Sequence, residues 1–124
     1  MSSVLIVAAS LLLLAWGTAH ILPVSQVLAG FGKLSLENSR VVLMEWVAEG
    51  VTIVFLGILP LVVLLAAGPR DPVATVVFRM TAAMLLTLAA LSVMTGARNA
   101  LLPMKLCPIV KSAAALLLVI ASLP

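Results

Sequence analysis

Long apolar runs separated by short polar stretches organise the whole chain. They extend from about Val4 to Leu22, Val41 to Ala67, Val73 to Thr95 and Pro103 to Leu123. A helix needs about 20 mostly apolar residues to cross roughly 30 Å of hydrocarbon. Each run reaches that length. The pattern therefore predicts an all-α, integral membrane four-helix bundle, one domain over residues 1–124, with spans at 4–22, 41–67, 73–95 and 103–123.

The connections are short, with one exception. "PVSQVLAGFGKLSLENSR", from Pro23 to Arg40, is the longer loop between the first and second spans. Its Gly30 and Gly32 discourage a regular helix, and its Val, Leu and Phe residues suit a lid lying on the bundle mouth. "GPRDP" reads as a tight turn that places Pro72 in the first turn of the third span. Pro60 is expected to kink the second span. A fourth helix starting at Pro108 would have only about 15 residues, too few to cross. A start near Pro103 with a kink at Pro108 is expected instead. No internal repeat supports an inverted-repeat transporter within one chain.

Composition sharpens the class. The 124 residues are 65% hydrophobic and 9% charged, more apolar surface than a soluble domain of this size could bury. The net charge of +3 comes from scattered bases beside apolar segments, so it serves as a topology signal and points to no nucleic-acid partner. Lys33, Arg40, Arg98 and Lys105 gather on one side and Arg70 lies on the other. By the positive-inside rule the first side is cytoplasmic. Both termini are then outside, in a membrane of bacterial inner type. Met1 to Leu22 lacks the basic start of a secretory signal and is read as a helix. Cys107 is the single cysteine, with no partner for a disulfide or a thiolate metal set, and is read as a small residue at a helix start.

The polar residues gather at one end. The stretch "LMEWVAEGVT" carries Glu45 and Glu49 one helical turn apart, sharing a face with Thr52. Counted from Val41, they lie roughly 6 Å and 12 Å below the cytoplasmic mouth. The first span ends there with His20, and Trp16 sits one turn deeper. The third delivers Arg98 and Asn99 below Ser92 and Thr95, and the fourth brings Lys105 and Lys111. The outer half offers only Arg79, read as snorkelling, and scattered hydroxyls. A charge at a helix centre costs roughly 2.5–3.5 kcal/mol on insertion scales, so these groups should face inward and pair. One outcome is a structural network of Glu49 with Lys111 and Glu45 with Arg98, with His20 as a hydrogen-bonding spacer. The other is a pocket in which one carboxyl stays protonated and the two acids work as acid and base. With one histidine and no thiolate set, the residues suggest no metal and no cofactor. Trp46 is read as a belt aromatic, and Gly50 and Gly57 as marks of close helix packing.

Four spans in about 120 residues, with "EGVTIVFLGI" in the second and "GFGKL" in the loop before it, resemble the DoxX-like small membrane proteins. More remotely, the cluster of His, Glu, Trp and Asn is similar to the site of the emopamil-binding group of sterol isomerases. That likeness implies carboxylates that protonate and deprotonate a lipophilic ring.

Three functions fit. The first is an intramembrane enzyme acting on a lipophilic small molecule by isomerisation, cyclisation or epoxide opening. In it Glu49 donates a proton and Glu45, oriented by His20, acts as base. Arg98 and Asn99 steady charge on a substrate oxygen, Lys111 adds a cation to the substrate site, and Trp16 walls it. The second is a small membrane subunit or scaffold held together by structural ion pairs. The third is a proton-coupled transporter working as a homodimer. Membrane lipid is a partner in every case.

Overall fold

The computed structural model describes residues 1–98 and 102–124. Five helices follow one another: α1 (Ser2–Ile21), α2 (Val24–Gly30), α3 (Leu36–Ala67), α4 (Pro72–Met94) and α5 (Leu102–Ala121). A 3-10 turn, Gly96–Arg98, follows α4. Four of the helices, all but α2, are long and apolar enough to cross a membrane. Their outward faces carry large apolar side chains such as Phe55, Met80, Leu91 and Ile109, the surface expected of helices that meet lipid.

Local chemistry sets the helix ends. Asp71 caps α4 by accepting from the Ala74 amide at 2.9 Å, with Pro72 opening the first turn. Gly68, at φ 85°, ends α3 in a conformation that side-chain-bearing residues avoid. Ser35 caps α3, its hydroxyl accepting from the Asn38 amide at 3.1 Å, and Glu37 lies in the first turn, where the helix dipole favours an acid. That cap starts α3 at Leu36, five residues before Val41. It also shortens the loop expected over 23–40, part of which is helical as α2. Gly30 closes α2, and Gly32, at φ 73°, turns the chain toward Ser35. α3 continues through Pro60, and α5 runs from Leu102 through Pro108.

α1 packs chiefly on α3 and α5, and α5 also packs on α4. α3 and α4 meet less, and α3 and α5 lie diagonally across the bundle. The α1–α3 contact is close because glycines line it. A methyl group at Gly17 would sit 2.7 Å from Val54 Cγ2 and 3.0 Å from the Gly50 carbonyl oxygen. One at Gly57 would sit 3.0 Å from Leu13 Cβ and from the Ser10 oxygen. Small residues let helix backbones approach where lipid supplies no hydrophobic drive for association. The half of the bundle nearer the termini is filled by Ile6, Leu13, Ile53, Phe78, Leu85, Ala114 and Leu118. The other half carries the polar cluster.

Candidate functional site

Lys111 anchors the cluster. It stands on α5, whose N-terminus is at the mouth, and helical side chains lean toward the N-terminus. Its four-carbon stem therefore climbs toward the mouth while the residue stays 0% exposed. There its ammonium donates to Glu49 Oε1 across the bundle and to Ser92 Oγ of α4 at 2.8 Å. Ser92 can accept because its own proton goes to the Leu88 carbonyl, 2.8 Å away. The buried ammonium thus has a carboxylate and a hydroxyl, the compensation that a charge in a low-dielectric interior requires.

Glu49 is the hub. Oε1 takes the Lys111 bond and faces the Cys107 thiol at 4.0 Å, while Oε2 lies 3.6 Å from His20 Nε2. Its side chain remains 33% exposed and that of His20 only 7%. His20 sits in the last turn of α1, where carbonyls lack helical partners. Trp46 of α3 supplies one, donating through Nε1 to the His20 carbonyl at 2.7 Å. The Trp46 ring also stacks on the imidazole, centroids 4.2 Å apart and planes 12° from parallel. Imidazole position is therefore fixed from α3, yet His20 Nε2 has no hydrogen-bond partner among the described residues.

Beside this cluster lies a cleft of about 570 Å³, within the roughly 300–1,000 Å³ typical of small-molecule pockets. Trp16, His20 and Trp46 form one wall, Met104, Leu106 and Cys107 of α5 another. α2 covers it with Gln26, Val27 and Gly30. Its lining is overwhelmingly apolar. Trp16 Nε1 is a second buried nitrogen without a partner among the described residues.

The structure thus brings together His20, Glu49, Lys111 and Trp16 from the residues singled out in the sequence. Glu45 is excluded. It is exposed and forms no ion pair with Arg98, His20 or Lys111 among the described residues. Four residues of α-helix accumulate about 40° of rotation. That drift carries Glu45 off the face buried at Gly50, Ile53 and Gly57. Arg98 is exposed in the 3-10 turn, outside the cluster, because α4 ends at Met94 before the chain reaches it. Glu45 and Arg98 thus stand apart from the cluster that Glu49, His20 and Lys111 form, and do not pair with each other. Asn99 lies outside the described residues.

Sequence reasoning placed Trp46 at the membrane belt and Cys107 in a packing role, and missed that both meet the cluster. A signal existed for each. Cys107 is one turn before Lys111, and Trp46 is three residues before Glu49, so each lies near a charged cluster member. Arg79, read as snorkelling, instead donates from Nη2 to the Ser122 carbonyl at 2.8 Å and caps the end of α5. No group of three or more His, Cys, Asp and Glu side chains suited to a metal occurs among the described residues. Comparison with known proteins finds no matching family model, no matching curated protein and no matching solved structure.

Proposed function

We propose that the chain is an integral protein of a bacterial-type inner membrane, both termini outside, that binds a lipophilic small molecule in the cleft and exchanges a proton with it through His20. The observation that carries this reading is the apolar cleft of about 570 Å³ ending on a buried imidazole whose Nε2 has no hydrogen-bond partner among the described residues. Buried polar atoms are normally satisfied, and one that is not calls for an explanation, of which a catalytic role is one. The cleft's two tryptophans offer flat faces to an unsaturated or ring-bearing hydrocarbon and can stabilise cationic character in it.

In this reading His20 replaces Glu45 as the group that meets substrate. Glu49, across 3.6 Å, supplies or removes the imidazole's second proton. Lys111 keeps the Glu49 charge compensated, so proton exchange does not leave an isolated carboxylate in an apolar interior. The reaction class is a cofactor-independent isomerisation or related acid–base step. The test is photo-crosslinking with a diazirine-bearing alkyl ketone in detergent. The label should map to Trp16, Val27 and Leu106, and competition by the unmodified ketone should remove it. Label spread over the lipid-facing residues Phe55, Met80 and Ile109 would reject the cleft as the binding site.

A second reading, a scaffold subunit, is favoured by one observation. Lys111 is fully buried with both acceptors in place, as a purely structural pair would be. It gives no role to the cleft or to the nitrogens of His20 and Trp16 that have no partner among the described residues.

A further inference from the structure

We infer that Cys107 is the nucleophile of this cleft and that its substrates are conjugated carbonyl lipophiles, to which the thiol adds reversibly. The inference rests on the lipophile-binding reading above and gives that site its chemistry.

The thiol is placed for it. Cys107 walls the cleft together with His20, and its Sγ lies 4.0 Å from Glu49 Oε1, which can accept the thiol proton. Lys111 holds the same carboxylate oxygen, so positive charge stands by while negative charge moves from carboxylate to sulfur to substrate. The other carboxylate oxygen faces His20 Nε2. Glu49 therefore touches both groups on the cleft wall that can exchange a proton with a ligand. The His20 side chain is only 7% exposed and its Nε2 has no partner among the described residues, which points independently to a ligand site. Cys107, Glu49, Lys111 and His20 together form the arrangement of nucleophile, base and orienting group that activates thiols.

The step balances without any further reactant. The thiol proton passes to Glu49, and a sulfur–carbon bond forms at the β-carbon as the C=C π pair moves to the carbonyl oxygen. Glu49 passes the proton it has taken to His20 Nε2, and the enolate takes it from the imidazolium so formed. Nothing is oxidised or reduced. In the adduct the former double bond is single and free to rotate. Reversing the steps expels the thiol and returns the alkene in either geometry. A conjugated carbonyl lipophile would thus be isomerised about its double bond, with the covalent adduct as intermediate.

The chain holds one cysteine, so intact-protein mass spectrometry reads this site directly. Purified protein in detergent is exposed to decyl vinyl ketone, and adduct formation is timed against the same chain unfolded in SDS at the same pH. Native protein should react about a hundredfold faster, the scale of general-base assistance, and Cys107→Ser protein should gain no mass. Glu49→Asp, which keeps a carboxylate for Lys111, should stay folded and react more slowly than wild type. A native rate no greater than the unfolded rate, or one unchanged in Glu49→Asp, overturns the nucleophile. The saturated analogue, decyl ethyl ketone, separates the two claims through quenching of Trp16 and Trp46 fluorescence. Saturable quenching without adduct rejects only the Cys107 assignment. Absence of both quenching and adduct rejects the lipophile site as well.

Discussion

Replacing Glu49 by Gln should destabilise the bundle more than replacing its partner Lys111 by Met, and replacing both should largely restore stability. Lys111 is 0% exposed. Glu49→Gln leaves its ammonium with two neutral acceptors, the new amide and Ser92 Oγ, and no counter-charge. Removing one partner of a buried pair costs about 3–5 kcal/mol. The opposite deletion is milder because the Glu49 side chain is 33% exposed. Its carboxylate can take up water or a proton when Met replaces Lys111, and the Met chain fills much of the vacated stem. A cost of about 1–3 kcal/mol follows. In the double variant no charge is buried, and such replacements are often neutral or better. The double variant should therefore lie at least about 2 kcal/mol below the sum of the singles. The assay is reversible SDS titration in mixed micelles, followed by circular dichroism. Single variants that each stay within about 0.5 kcal/mol of wild type, or a double variant equal to the sum of the singles, would refute a coupled buried pair.

Gly17→Ala should cost about 1–3 kcal/mol in the same assay, because its methyl meets Val54 N at 2.9 Å and the Gly50 oxygen at 3.0 Å, backbone atoms that cannot rotate away; a neutral result would mean the α1–α3 contact is looser than described. Arg79→Met should cost about 1 kcal/mol, the charge-assisted bond to the Ser122 carbonyl discounted for its exposure, and amide exchange should quicken at the end of α5 but not at Lys111. Glu45→Gln and Arg98→Gln should each change stability by less than about 0.5 kcal/mol and leave ketone quenching of the tryptophans intact. Loss of quenching in either would restore the paired-acid site.

The long apolar runs make the four helices that are long and apolar enough to cross a membrane legible, because length and hydropathy alone decide that a segment can span. Polar asymmetry also located the cluster, since His20, Glu49 and Lys111 count to similar depths from their helix ends. What failed was azimuth. Depth counting treats Glu45 and Glu49 as equivalent, but only the packing of α1 against Gly50 and Gly57 reveals which side of α3 is buried. The helical part of the first loop was missed for a related reason. By sequence Gly30 and Gly32 read as breakers of the whole segment, whereas they act at its end, and Ser35 then restarts the chain as a capped helix. Trp46 looked like a belt residue because aromatic composition carries no orientation. Its role depends on the unpaired carbonyl that the end of α1 presents to it.

A lipophile bound in the cleft is proposed to meet His20. The chain contains one histidine, so isotope-labelled imidazole gives a single set of nitrogen and carbon resonances. Decyl ethyl ketone titrated into labelled protein in detergent should shift the Nε2 and Nδ1 signals saturably, with the same midpoint as tryptophan quenching. Cys107→Ser protein, which keeps the cleft, should show the same shift. Imidazole signals that stay fixed while the ketone partitions into the micelle would contradict the account.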